Sequence, residues 1–139
     1  QTSKHALFTS GSSGAHKRFN IYNDDASGIL GVMGHRSDPV NYDFYPRTGI
    51  NYNDGEWRAI GVTYNGDGVL MTYVDGALDH TATGKTYDTD GQDNYIGAKN
   101  HGGLERFLAG LTDDVRIYNR ALSAEEVKAL YDLEKPKGK

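Results

Sequence analysis

The sequence predicts an all-β sandwich of antiparallel strands with one short helix near the C-terminal end. Short segments of alternating apolar residues recur along the 139 residues, and clusters of Gly, Asn and Asp separate them, as in proteins built from tight hairpins. Helical periodicity occurs in a single segment. The chain has no cysteine, but its length is enough for one domain with its own core.

Strands are predicted first in three segments of the N-terminal third. KRFNIYN alternates Phe19 and Ile21 with polar neighbours, which predicts a strand with one buried face. GILGVMG follows as its predicted partner. VNYDFYP is rich in aromatic residues and ends at Pro46, where the backbone loses a hydrogen-bond donor.

The clearest strand pattern is DGEWRAIGVTYNGDGVLMTYVDGAL, residues 54–78. Two alternating strands are joined at residues 65–68, and the second ends in a turn at residues 75–76, where Asn, Asp and Gly favour tight hairpins. We expect much of the core to come from the apolar residues of these and the later strands, namely Trp57, Ile60, Val62, Leu70, Tyr73, Val74, Ile96, Val115 and Ile117.

The C-terminal part predicts two more strands, NYIGA and the long closing strand RFLAGLTDDVRIYN, followed by the helix. Ser123 as N-cap and Glu126 three residues later form a capping box, and Leu122 is placed to pack on Val127. Val127, Leu130 and Tyr131 form the apolar stripe of the helix. Residues 135–139 are predicted to be a linker or tail.

Composition and charge exclude several classes of partner. The net charge of −4 comes without a basic stripe, so we expect no nucleic-acid binding. No stretch reaches the roughly twenty apolar residues that span a bilayer, so we expect no membrane insertion. Gln1 does not open a signal sequence, and we expect any export signal to have been removed or never present.

From Gly55 to Tyr131 the chain resembles a bacterial laminin-G-like domain of the concanavalin A-like lectin and glucanase superfamily. The resemblance rests on EWRAIGVTYNGDG, MTYVDGAL, YIGA and AGLTDDVRIYNRALSAEEV in this order. It implies a two-sheet antiparallel jelly roll over residues 1–134. Such domains usually begin with one more strand, so we expect an open or unusually filled sheet position, where a peptide strand could bind.

Glycanases of this superfamily carry a strand with the spacing Glu-x-Asp-x-x-Glu, which sets an acid and a nucleophile about 5 Å apart. The sequence has no such motif, and its five histidines show no ligand or nucleophile spacing. We therefore expect a protein that is not an enzyme. A degenerate glycosidase would need two carboxylates that converge in one cleft.

Candidate ligand residues lie in NYDFYPR and in the loop HGGLER. Tyr42, Tyr45 and Arg47 would form an aromatic platform beside a cation, as carbohydrate-binding modules use, although Tyr42 could instead be ordinary core. His101 and Arg106 would add polar contacts at the rim, and the loop GHRSDP is an alternative source of such contacts.

Asp113 and Asp114 are candidate calcium ligands in the predicted closing strand. In an alternating strand one of them must face inward, where a carboxylate needs a hydrogen bond, a cation or a metal. Calcium is bound by six to eight oxygens, and domains resembling this one often hold it at the rim. A bond to a nearby backbone or to Arg116 or Arg120 is the alternative.

These observations predict a non-catalytic, secreted or cell-surface module of a larger protein that binds a carbohydrate. Two alternatives remain open at this stage. One is a structural spacer or adhesin segment without a ligand site, and the other is a protein- or peptide-binding module that uses an open sheet edge.

Overall fold

The structure, a computed structural model, describes residues 4–12, 17–24, 28, 30–35, 42–46, 51–84, 93–100 and 103–135. Within these residues the elements are β1 (Lys4–Ser12), β2 (Lys17–Asp24), β3 (Leu30–His35), β4 (Tyr42–Pro46), β5 (Ile60–Tyr64), β6 (Leu70–Val74), β7 (Ala77–Ala82), β8 (Asn94–Ile96), β9 (Lys99–Asn100), β10 (Leu104–Glu105) and α1 (Ala124–Glu134). Every strand pair is antiparallel. The predicted all-β antiparallel fold with one short C-terminal helix is confirmed.

The chain divides into two compact units, each built from two separate stretches. The first unit contains Gln1–Gly55 and Thr86–Val115, and the second contains Glu56–Lys85 and Arg116–Lys139. Whether residues 1–134 form one domain, as the sequence predicts, stays a prediction.

The first unit contains a five-stranded sheet in the order β4-β3-β2-β1-β8, with β9 and β10 as a separate pair. The strands predicted from KRFNIYN, GILGVMG and VNYDFYP are β2, β3 and β4, and the predicted pairing of the first two is confirmed. β1 was missed by the alternation pattern. A register shift between Ala6 and Phe8 interrupts its pairing with β2, and β1 contains Thr, Ser and Gly.

Burial in β2 differs from the sequence prediction. Asn20 and Tyr22 are 0% and 1% exposed, whereas Phe19 and Ile21 on the opposite face are only half-buried. The alternation gave the two faces correctly, because side chains alternate along a strand. It did not reveal that the polar face is the more deeply covered one.

The second unit contains the hairpins β5-β6 and β6-β7. In the first turn the Asn65 carboxamide oxygen accepts hydrogen bonds from the Asp67 and Val69 amides at 2.9 and 3.0 Å. In the second turn Asp75 and Gly76 have φ of +52° and +76°, as a tight hairpin of this type requires. Both predicted turns are confirmed.

Helix α1 begins with the predicted capping box. The Glu126 amide donates to Ser123 Oγ at 3.2 Å, and the Ser123 amide donates to Glu126 Oε2 at 2.9 Å. The apolar stripe is half-buried, and Tyr131 packs directly on the backbone of Gly76, where an added Cβ would lie 2.9 Å from the Tyr131 Cβ. No helix of the described chain is long and apolar enough to cross a membrane.

The predicted core is confirmed only in β6. Leu70, Tyr73 and Val74 are buried, and Ile60 and Val62 on β5 are half-buried. The prediction is wrong for Trp57, Ile96, Val115 and Ile117, which are 58%, 54%, 46% and 72% exposed. Trp57 precedes β5, Ile96 lies on the edge strand β8, and the other two lie outside any strand.

The predicted closing strand RFLAGLTDDVRIYN is also wrong. Residues 106–119 contain neither strand nor helix, and Asp114 has φ of +53°, which an extended strand cannot accommodate. The Asp114 amide donates to Asp113 Oδ1 at 2.8 Å, and such local bonds compete with strand pairing.

Candidate functional site

Arg106 is the sequence-predicted ligand residue with the most clearly defined surroundings. Its guanidinium carbon lies 5.9 Å from the centroid of the Tyr22 ring, within the range of a cation–π interaction. Its backbone oxygen accepts a hydrogen bond from the Ala6 amide at 3.0 Å, and its φ is +54°. Non-glycine residues with such strained backbone are concentrated at functional sites.

The guanidinium of Arg106 is held at one nitrogen and accessible at the others. Its Nε lies 3.4 Å from Glu105 Oε1, and the side chain is 37% exposed. Among the contacts of the described chain, neither terminal nitrogen has a hydrogen-bond partner. The terminal N–H groups of Arg106 are therefore available as hydrogen-bond donors.

Glu105 lies between two cations. Its Oε1 is 3.4 Å from Arg106 Nε and 3.3 Å from Lys99 Nζ, and the Lys99 side chain is only 4% exposed. The contact follows from the β9–β10 register, in which Glu105 is opposite Lys99. Two positive charges and one negative charge leave this group with a net charge of +1. The Glu105 carboxylate therefore bridges the two cations.

Tyr95 supplies the accessible aromatic ring on the same face of the sheet. It is half-buried on β8, and its hydroxyl accepts a hydrogen bond from Asn100 Nδ2 at 3.2 Å. Tyr95 is opposite Thr9, which is opposite Asn20, so their side chains share one face with Tyr22. We call Tyr22, Tyr95, Lys99, Glu105 and Arg106 the tyrosine–arginine cluster.

The other predicted ligand residues are not brought to this cluster by anything the structure describes. Tyr42 and Tyr45 lie on β4, which is separated from β8 by three strands of the same sheet, and their side chains lie outside the described part. Arg47 and His101 also lie outside the described residues. Their predicted roles are therefore untested.

Asp113 and Asp114 are both exposed, so the prediction that one of them faces inward is wrong. The reason is the left-handed backbone at Asp114, which removes the strand alternation. In the described part of the chain there is no group of three His, Cys, Asp or Glu residues that could hold a metal. Calcium binding at these two aspartates stays a prediction.

Sequence reasoning missed Tyr22, Tyr95 and Lys99. Tyr22 and Tyr95 stand at polar-face positions of short strands, where a tyrosine is normally assigned to a sheet surface. Lys99 is a buried lysine, which no local pattern predicts because its partner Glu105 is on another strand. The available signal was that Glu105, six residues after Lys99, directly precedes Arg106.

Comparisons with known proteins show what the fold is similar to. Residues 1–128 match a laminin G family described as the concanavalin A-like lectin/glucanases superfamily. No curated protein matches the chain.

Two solved structures share the fold at low sequence identity. The carbohydrate-binding module CBM40 of Ruminococcus gnavus IT-sialidase has a TM-score of 0.77 and 15% identity, over 94% of this chain and 75% of that one. The NanB sialidase of Streptococcus pneumoniae has a TM-score of 0.75 and 23% identity, over 92% of this chain and 21% of the sialidase. Because both identities are below 25%, these similarities show the fold alone.

Proposed function

Because the chain belongs to the concanavalin A-like lectin/glucanase superfamily, we propose that it is a non-catalytic module that binds a carbohydrate within a larger extracellular protein. The similarity to a carbohydrate-binding module supports the ligand class. Absence of the glycanase carboxylate motif from the sequence supports a binding role without catalysis.

The observation that carries this proposal is the partly exposed guanidinium of Arg106, held over the Tyr22 ring on the sheet face that also carries Tyr95. Carbohydrate sites combine an aromatic surface with a few fixed polar groups, because sugar rings have apolar C–H faces and hydroxyl edges. Tyr95 provides the partly accessible aromatic surface, and Arg106 provides N–H donors for ligand oxygens. The buried Tyr22 ring holds the guanidinium in place and does not contact the ligand itself.

The test is binding to immobilised glycans that include lactose and 3′-sialyllactose, chosen because both similar structures come from sialidases. We expect wild-type protein to bind at least one glycan and Arg106→Ala to bind about 10- to 100-fold more weakly, since a charged hydrogen bond contributes about 1.5–3 kcal/mol.

Arg120→Ala is the matched control for this experiment. Arg120 is also an exposed arginine paired with a glutamate, but its partner is Glu126 on α1 in the second unit. We expect its glycan binding to equal that of wild type. Failure of the wild type to bind any glycan, or equal binding by Arg106→Ala, contradicts the proposal.

Peptide binding at a sheet edge is a second candidate function. β8 is an end strand of the five-stranded sheet, and Ile96 on it is 54% exposed. An edge of this kind can bind an extended peptide by adding a strand. A proline substitution at Ile96 would remove an edge donor, because the amides of Gly97 and, two residues before it, Tyr95 face β1 and that of Ile96 faces outward. We expect a peptide-binding module to lose its partner in Ile96→Pro and to bind it more weakly in Ile96→Thr.

A further inference from the structure

The loop that contains Arg106 is tied to β1 and to Gly97 by backbone hydrogen bonds. The Ala6 amide donates to the Arg106 oxygen at 3.0 Å, and the Leu108 amide donates to the Gly97 oxygen at 2.8 Å. All of these residues belong to the first unit. The position of Arg106 therefore depends on how this loop, residues 106–109, lies against β1.

One ring nitrogen of His5 on β1 contacts two groups of the same loop. His5 Nδ1 lies 2.5 Å from the Phe107 carbonyl oxygen and 3.1 Å from the Ala109 amide nitrogen. A carbonyl oxygen needs an N–H donor from the ring, whereas an amide N–H needs the lone pair of a ring nitrogen. Because a single nitrogen cannot offer both at once, the two hydrogen bonds exclude each other.

The protonation of His5 decides which of the two bonds forms. A protonated imidazole carries N–H on both nitrogens, so Nδ1 donates to the Phe107 oxygen, and a charged donor makes the stronger bond. In the neutral ring with its proton on Nε2, Nδ1 instead accepts from the Ala109 amide. We propose that His5 is a positioning residue for Arg106: when the pH falls, its bond to Phe107 holds the residue next to Arg106 and strengthens ligand binding there.

The effect on ligand binding rests on the proposed carbohydrate function, whereas the exchange between the two bonds does not. Histidine ordinarily changes charge between pH 5 and pH 8, a range in which lysine, arginine and carboxyl side chains keep theirs. On β2 the residue opposite His5 is the uncharged Asn23. The charged residues on the elements around His5 are Lys4, Asp24, Lys99, Glu105 and Arg106.

The first measurement needs no glycan. Long-range ¹H–¹⁵N correlation NMR from pH 5 to pH 8 shows which nitrogen of the His5 ring carries a proton. We expect Nδ1 to be protonated at the acid end and unprotonated at the other, and the chemical shift of the Ala109 amide proton to change over the same range. The Leu108 amide is the internal control, because it is bound to the Gly97 oxygen and should change little.

Two results of this titration would overturn the proposal. One is an Ala109 amide whose chemical shift does not follow the titration of His5. The other is an Nδ1 that keeps its proton over the whole range, since the bond from Ala109 would then never form.

The second measurement is the affinity for lactose and 3′-sialyllactose at about pH 5.5 and about pH 7.5. We expect wild-type protein to bind about fivefold more tightly at the lower pH, since a charged hydrogen bond is roughly twice as strong as a neutral one. His5→Asn keeps a polar group near the position of Nδ1 but cannot titrate, so its affinity should not depend on pH. His80→Asn is the matched control, because His80 lies on β7 in the second unit, and it should keep the wild-type pH dependence.

Equal wild-type affinities at the two pH values, or the same pH dependence in His5→Asn, would show that His5 does not position Arg106. If neither sugar binds while the NMR titration behaves as expected, the carbohydrate proposal fails and the control of the loop by His5 stands. If a sugar binds but the Ala109 amide does not titrate, the carbohydrate proposal stands and the role of His5 is refuted.

Discussion

Among the residues that the structure describes, three non-glycine residues have left-handed backbone: Asp75, Arg106 and Asp114. Aspartate tolerates this conformation, and at Asp75 the carboxylate also accepts from the Ala59 amide at 3.0 Å and from Arg58 at 2.7 Å. Arginine has no such preference. At Arg106 the strained backbone is accompanied by contacts to β1, Tyr22 and Glu105, which orient the guanidinium.

Gly76 should be the most sensitive turn position. It has φ of +76°, and a Cβ would lie 2.9 Å from Tyr131 Cβ, so Gly76→Ala combines backbone strain with a clash. Gly66→Ala is the control, because φ is +84° there but nothing lies within 4 Å. We expect Gly66→Ala to cost about 1–2 kcal/mol of unfolding free energy, and Gly76→Ala about 1–3 kcal/mol more. Equal costs in denaturant unfolding would contradict the close packing of Tyr131.

Truncation of Trp57 and of Tyr73 to alanine should lower the free energy of unfolding by very different amounts. Trp57 is 58% exposed, so Trp57→Ala should cost about 1 kcal/mol or less, in contrast to the sequence-based expectation of a core residue. Tyr73 is 1% exposed, and Tyr73→Ala should cost about 3–5 kcal/mol. Thermal unfolding of the two variants measures the difference. A large loss for Trp57→Ala would mean that this ring is covered in solution.

At the scale of elements, helix α1 is stabilised by a capped first turn as well as by its half-buried apolar stripe. None of its residues is fully buried, and its N-terminus is held by the Ser123–Glu126 capping box. Glu126 also forms a two-bond ion pair with Arg120, at 2.8 and 2.6 Å. We expect Ser123→Ala to cost about 1 kcal/mol, because it leaves a helix amide without an acceptor.

The helix should lose stability in acid. The pKa of Glu126 is lowered from 4.5 to about 2, first by its hydrogen bond with Arg120 and then by that from the Ser123 amide. The pKa of Asp132 is lowered from 3.8 to about 2 by hydrogen bonds from Lys128 and Lys135. When folding lowers the pKa of a carboxyl group, its ionised form stabilises the folded state. This stabilisation is complete at a pH above the unfolded-state pKa and is lost as the pH falls toward the folded-state pKa.

Helix content and unfolding temperature should therefore fall as pH drops from about 4.5 to about 2. In Glu126→Gln/Asp132→Asn the same decrease should be smaller, since neither side chain can titrate, while glutamine preserves the capping box. Far-UV circular dichroism across this pH range measures both proteins. Parallel curves would show that other carboxyl groups control acid unfolding.

At the scale of the whole molecule, calcium binding is the open question from the sequence. Asp113 and Asp114 are adjacent and exposed, and calcium would need further oxygens from backbone or other side chains. If calcium binds, stability should rise with the logarithm of free calcium, by about 2.7 kcal/mol at one hundred times the dissociation constant. The increase should vanish in Asp113→Ala. Coincident melting curves in calcium and chelator would exclude a linked site.

The sequence by itself determined the elements whose signals are local. Turns at residues 65–68 and 75–76 need particular backbone angles, and the helix start needs a capping residue, so each is specified by neighbours in the chain. The ordered motifs also identified the fold family. In the candidate site, the local sequence predicted Arg106 alone, as a cation in a glycine-containing loop.

Only the tertiary structure decided which faces are covered and which charges meet. Alternation shows that a strand has two faces, but neighbouring elements determine burial, as Asn20 and Ile96 demonstrate. A strand also needs a partner, so the alternating pattern around Asp113 could not establish one. Lys99 meets Glu105, and Tyr22 meets Arg106, through register and long-range packing. Those contacts join residues distant in the chain, and no local pattern records them.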